Sequence, residues 1–273
     1  MNKYFGISLL LLFVLFSCRE KTQRLPSSSN RPYEVTIVDD ENDSLKSALS
    51  ADVAGLPQPE PLFDVHSIER KEFRGMERYA RAIVFFDRSD SMTIDKNIYS
   101  QPQIVIHAAP RDSNRIISAL QLFEVNAQIM ILKKKHNTAV EAYIKKMFGV
   151  NILIPADMTS SKKAKNFFWI SNNAATGMKN VVVMNGNVNE LLKKNLKGET
   201  DSMFVQLLDN GLWIMKGDAM GGPFRLIKLK SSLKNRDVSC LVFVYAPETN
   251  KRNLIRQMEA VLNTTKLYNY GRK

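Results

Sequence analysis

The chain has 273 residues, with 39 Lys and Arg against 27 Asp and Glu, a formal net charge of +12. Hydrophobic residues at 44% and charged residues at 24% are ordinary proportions and leave enough apolar side chains for a real core. The two cysteines, Cys18 and Cys240, are too few for a disulfide-stapled scaffold.

The first residues form a three-part export signal. Asn2 and Lys3 make a short basic region, and Tyr4 to Phe16 is almost wholly apolar. That run is about a dozen residues, short of the roughly 20 a spanning helix needs, and fits the apolar core of a signal peptide. Leu15-Phe16-Ser17-Cys18 then has the form of a lipobox, although Phe16 is bulkier than is usual there. Cleavage is expected between Ser17 and Cys18, after the Cys18 thiol takes a diacylglyceryl group with palmitate-type chains. An acylated Cys18 leaves Cys240 without a disulfide partner. Arg19 to Pro32 is polar and holds Ser27-Ser28-Ser29, which reads as a flexible tether with an r.m.s. reach of about 20 Å. The expected organisation is a signal peptide over 1–17, a tether over 18–32 and one folded domain over 33–273.

An exported chain rarely meets nucleic acid, so the +12 charge points elsewhere. The expected partners are the membrane, through the lipid, and an anionic envelope component or an envelope protein. The bland alternative is that Lys and Arg only solvate exposed faces. Arg19 follows Cys18, where an inner-membrane lipoprotein of model bacteria carries Asp, so the periplasmic side of the outer membrane is the expected location.

The folded part opens on Tyr33 to Asp39 (YEVTIVD), a β-branched strand, and an acidic turn. Ser44 to Ala54 fits a short helix with Leu45, Ala48, Leu49 and Val53 on one face. Prolines 57, 59 and 61 force an extended path, and Phe63 to Ile68 continues as a strand. Glu69 to Arg78 reads as a brief helix. Arg81 to Asp87 (RAIVFFD) reads as a strand buried on both faces. Arg88 to Lys96 is a polar connection, and Gln103 to Ala108 (QIVIHA) is another strand. From Asp112 or Ser113, a helical pattern runs through Ile116, Leu120, Phe123, Ala127 and Met130, with a break at His136-Asn137, and continues over Val140, Ile144 and Phe148 to Gly149.

The second half repeats the style. Strands are expected at Asn151 to Pro155, Asn166 to Ser171 and Asn180 to Met184, then a short helix at Asn189 to Leu196. Asp209-Asn210-Gly211 marks a hairpin between Met203 to Leu208 and Leu212 to Lys216. Phe224 to Lys230 alternates strictly, Ser239 to Ala246 is strongly apolar, and Thr249 or Asn250 is placed to cap a last helix with Leu254, Met258, Val261 and Leu262 on its core face. Each half ends on an apolar strand, an Ala-Pro step (Ala109-Pro110, Ala246-Pro247) and a helix. That spacing raises a duplicated strand-strand-helix unit, with halves 33–149 and 150–273. The class is α+β: a mixed or antiparallel sheet with two longer helices packed on it.

Leu25-Pro26-Ser27-Ser28-Ser29, Leu56-Pro57-Gln58-Pro59-Glu60-Pro61-Leu62-Phe63-Asp64, Gly211-Leu212-Trp213, Met220-Gly221-Gly222-Pro223-Phe224 and Val244-Tyr245-Ala246-Pro247 with Lys251-Arg252 carry a resemblance. They resemble an uncharacterised family of bacterial lipoproteins, a domain of unknown function. The resemblance implies location and a shared fold, and brings no activity and no catalytic residues.

Three stretches bear on chemistry. Asp64 and His66 sit two apart on a strand and so share a face, which suits half a metal site or an acid–base pair; no HExxH or paired CxxC accompanies them. No cofactor motif is present, and no GxSxG. Lys216 to Phe224 holds Gly217, Gly221 and Gly222, with Trp213 before it, so backbone N–H groups and Asp218 are candidate ligand contacts, against the plainer reading of a hairpin connection. Lys251, Arg252 and Arg256 lie on the last helix and make an anion-binding face if they converge. Two function classes follow: a non-enzymatic, lipid-anchored binding protein, or an envelope hydrolase or transferase working through Asp64, His66, His107 or Asp218. They separate on whether His66 or His107 meets a carboxylate in an open cleft.

Overall fold

The structure, a computed structural model, describes residues 24–86, 91–231 and 236–268. The signal sequence, Ser17 and Cys18 lie outside the described residues.

The first half builds a five-stranded sheet. Its elements are β1 (Glu34–Val38), α1 (Ser44–Leu49), β2 (Asp64–Ile68), β3 (Ala82–Phe86), β4 (Thr93–Lys96), β5 (Ile104–Ala108) and α2 (Ser113–Lys134). The strand order is β2-β1-β3-β5-β4; the first four strands are parallel and β4 is an antiparallel edge. A parallel strand is covered on both faces, and β3 (AIVFF) is buried at every position. One face packs Val35, Ile37, Val84, Ile104 and Ile106 against Ile116 and Leu120 of α2. The other face packs Ile83, Phe85 and Val105 under Phe73 and Tyr99. The segment expected as a helix over 69–78 forms two 3-10 turns, Arg70–Glu72 and Gly75–Tyr79, because it must stretch across the sheet from β2 to β3.

The second half contains α3 (Thr138–Phe148), β6 (Val150–Asn151), β7 (Ser160–Ala164), β8 (Phe167–Ser171), β9 (Met178–Asn185), α4 (Val188–Asn195), β10 (Val205–Leu207), β11 (Leu212–Met215), β12 (Gly221–Ser231), β13 (Arg236–Tyr245), α5 (Arg252–Asn263) and β14 (Lys266–Leu267). Seven strands form an antiparallel sheet in the order β10-β11-β12-β13-β9-β8-β7, while β6 pairs with β14. Apolar runs in β9 and β13 bury both faces. Val181, Val183, Cys240, Val242 and Val244 meet α3 and α5. Val182, Met184, Leu241 and Phe243 meet Leu192 of α4 and Trp213 of β11.

Helix α2 lies on the parallel sheet and packs against α5, which lies on the antiparallel sheet. The two helices therefore sit back to back between two sheets, not side by side on one face. By length and composition α2 could span a bilayer; here Ile116, Leu120 and Glu124 fix its inner face. Glu124 forms a buried ion pair with Arg81 at 2.8 Å.

The class is α+β, with three further departures from expectation. The halves differ in sheet type, so the shared strand–Ala-Pro–helix exits do not reflect a duplicated unit. The boundary falls at the turn before α3, since Ile144 and Phe148 of α3 pack on the second sheet. Finally, the segment expected as free tether is docked from Pro26 to Ser29. Gln101 N donates to Pro26 O (2.8 Å), Ser28 N to Gln101 O (3.2 Å) and Ser29 N to Tyr79 O (2.8 Å). Beneath it, buried Gln103 ties the loops together, its side-chain amide donating to the carbonyls of Arg78 and Ala80, each at 2.8 Å.

Candidate functional site

The three basic residues of α5 are where the chain's halves meet. Neither Thr249 nor Asn250 caps α5; the cap position is Lys251, which has no capping side chain of its own. The cap comes from the other half of the molecule. Buried Glu60, on the proline-rich strap, accepts from Lys251 N at 2.7 Å and Arg252 N at 2.9 Å. Prolines on either side hold the strap extended, so this carboxylate can enter a helix N-terminus where unpaired N–H groups and the macrodipole favour an anion. The Arg252 guanidinium then donates to Pro61 O (2.8 Å) and to both Asp64 oxygens (3.2 and 2.6 Å). Arg256 pairs with Glu259 at 3.2 Å, and Glu259 also accepts from Arg225 Nε at 2.8 Å. Arg256 stands 5.7 Å over the ring of Tyr33.

Arg252 and Arg256 therefore each meet a carboxylate of the chain, while the Lys251 ammonium donates to Thr249 O at 2.9 Å, and the three do not form an open anion-binding face. Lys251 and Arg252 are buried, and Glu60, Asp64 and Glu259 already sit in the positions a ligand anion would take. Burial of Tyr33 in this cluster holds its hydroxyl proton on to well above the usual phenol range.

The glycine-rich stretch is likewise a packing device. Trp213 is buried, and its indole N–H donates to Val244 O at 2.9 Å. Its ring meets Phe243 edge-on at 5.1 Å. A Cβ on Gly222 would sit 2.1 Å from Val244 O, and one on Gly221 would sit 2.8 Å from Trp213 O. The glycines let β12 slide under the indole, and no cradle opens to solvent there. Asp218 lies in the exposed turn between β11 and β12, its N–H donating to Met215 O at 3.0 Å.

The histidines are scattered. His66 is exposed on the β2 edge strand, on the same face as Asp64, but Asp64 is committed to Arg252. His107 stacks on Phe85 at 4.5 Å. His136 does meet a carboxylate, Glu141 at 2.9 Å, a pairing no sequence motif announced. Glu141 also accepts from Ile154 N at 2.8 Å, so the pair braces the turn between α2 and α3. Burial pushes the Cys240 thiol up to about 12, as expected for a small core hydrophobe. Among the described residues no group of three or more His, Cys, Asp and Glu is placed to hold a metal ion.

Two hollows lie near the candidate residues or the ends of the parallel strands. One, about 250 Å³, opens between α2 and α5 beside Leu132, Lys135, Asp157 and Met258. Lys179 crosses to Asp157 there, at 3.3 Å. The other, about 670 Å³, lies at the C-terminal ends of β1 and β2, where open parallel sheets place their ligands. Two of its five carboxylates are tied into the fold: Asp39 with Arg70 at 2.6 Å, and Asp40 with the N–H groups of Ser44 (3.0 Å) and Lys46 (2.8 Å).

Neither any curated protein nor any solved structure matches the chain. Residues 28–148 match the family model described as Domain of unknown function (DUF8532), and residues 137–209 and 205–264 match Domain of unknown function (DUF4837). The first match begins inside the docked Ser27-Ser28-Ser29 segment, and the two overlap in α3, next to the turn where the structure changes sheets. Half by half, the chain is similar to two uncharacterised families.

Proposed function

We propose that the chain is a lipoprotein of the cell envelope, acylated on Cys18 and held at the periplasmic side of the outer membrane, whose folded body binds an envelope partner and does not catalyse a reaction. The lipobox Leu15-Phe16-Ser17-Cys18, placed behind a short apolar run and a basic start, carries this reading. The binding role is supported by what the candidate acid–base groups are doing. Asp64 is held by Arg252, His107 is stacked on Phe85, and in the hollow at β1 and β2 Asp40 caps a helix while Asp39 pairs with Arg70. The partner is an anionic envelope component or another envelope protein, in keeping with the net charge of +12.

The test is metabolic labelling with a palmitate analogue, with membrane fractionation of wild type and Cys18→Ala. Wild type should carry the label and pellet with membrane, and the variant should lose the label and leave the membrane or accumulate uncut. An unlabelled wild type whose fractionation matches the variant's would overturn the anchor.

A further inference from the structure

The docked N-terminal segment sets which side of the body faces the bilayer. Among the described residues hydrogen bonding to the fold begins at Pro26, and Arg19 to Leu25 is the stretch between it and Cys18. Fully extended, that stretch spans about 25–30 Å, and as a flexible chain about 15 Å. A body on so short a leash stays next to the bilayer, and the part nearest it is the part that holds Pro26. That part is the edge of the parallel sheet where β3 and β5 begin. It is made of residues 24–29, the 3-10 turn Gly75–Tyr79 and the loop from Asn97 to Gln103.

These segments have a distinctive surface. Leu25 (37% exposed), Met76 (69%) and Ile98 (47%) are three of the large apolar side chains the described fold leaves in solvent. Exposed Arg24, Arg74, Arg78 and Lys96 lie on or next to the same segments, with half-buried Glu77 and exposed Asp95 as their acidic neighbours. Exposed apolar side chains on segments where cations outnumber acids suit the boundary between headgroups and acyl chains, where each basic residue near an anionic surface strengthens binding about five-fold. From this juxtaposition we infer that the edge formed by residues 24–29, 74–80 and 96–103 is a membrane-seating surface, which lays the body against anionic lipid with Leu25, Met76 and Ile98 at the interface. The inference rests on the membrane lying at residue 18, as in the reading above. The rest of the molecule, including the hollow between α2 and α5, is then turned away for a partner.

Amide hydrogen exchange on the full chain, extracted from membranes and reconstituted into vesicles, tests this. Vesicles of phosphatidylcholine are compared with vesicles in which a third of the lipid is phosphatidylglycerol. On the anionic vesicles, amides of 74–80 and 96–103 should exchange at least about five-fold more slowly, by the same per-residue factor, while those of the Asp218 turn should not change. The pair Arg74→Glu with Lys96→Glu should abolish that difference while the protein still sediments with the vesicles. Met76→Ser with Ile98→Ser, which leaves every charge in place, should weaken it. Equal exchange in both lipids, or protection of the Asp218 turn instead, overturns the seating surface. The mass on Cys18 in the same sample reports separately on acylation. An unacylated chain held by its apolar first residues still places the bilayer at residue 18, so the surface can stand while the lipid anchor falls. A chain never recovered with membrane overturns both.

Discussion

Gly222 sits where β12 passes beneath Trp213, and the 2.1 Å that a Cβ would leave to Val244 O cannot be relieved by a side-chain rotation because the obstacle is backbone. Gly222→Ala should therefore cost about 3 kcal/mol in urea unfolding, at the upper end for overpacking, whereas Asp218→Ala in the neighbouring exposed turn should stay within about 0.5 kcal/mol. Two buried acids set a pH limit. Cys240 and Tyr33 both hold their protons more tightly folded than unfolded, because burial disfavours their anions. Their contribution to stability is fully present below the ordinary thiol value of 9.0 and is lost as pH climbs above it. The melting temperature should fall between pH 9 and 11, and Cys240→Ala with Tyr33→Phe should flatten that fall. At this scale the sequence was readable for residue type and poorly readable for role. Trp213 and the glycines were legible as a special stretch, but a packed Trp–Gly contact and a ligand cradle call on the same residues. Only the partner strand, β13, decides between them.

Among the elements, α5 depends on the proline-rich strap for its cap. Its start is capped from sequence position 60 and not by a neighbour, so Glu60→Ala leaves two buried N–H groups without an acceptor. A loss of about 3 kcal/mol is expected in urea unfolding, and Glu60→Gln, which keeps one acceptor oxygen, should lose roughly half of that. Strands with apolar runs, β3, β9 and β13, were legible because burial on both faces writes itself as a continuous apolar stretch. β4 (TIDK) and β7 (SSKKA) were not. Both are edge strands with solvent on their faces, and Lys on an edge is a guard against stray pairing, so their composition matches a loop. Parallel pairing of β1 and β2 was also hidden, since the strap and α1 between them are short.

At the level of the whole molecule, the halves are joined by buried polar contacts as well as by the α2–α5 packing. Glu60, Asp64 and Tyr33 from one half reach Lys251, Arg252 and Arg256 from the other. The wild type should unfold in a single calorimetric transition, and Glu60→Ala with Asp64→Ala should resolve it into two. Two half-chain family matches on one body fit this picture of distinct sheets locked at a seam. The seam itself could not be read in advance, because opposite charges far apart in sequence carry no mark of their pairing.

The Glu60 contact has a consequence in time. Its partners lie 191 and 192 residues further along the chain. At about 5–20 residues per second, a growing chain takes roughly 10–40 seconds to go from one to the other. Through that interval the first half holds a carboxylate meant for burial with nothing to bury it against. Such late closure of a long loop slows folding and rewards a chain kept from premature collapse.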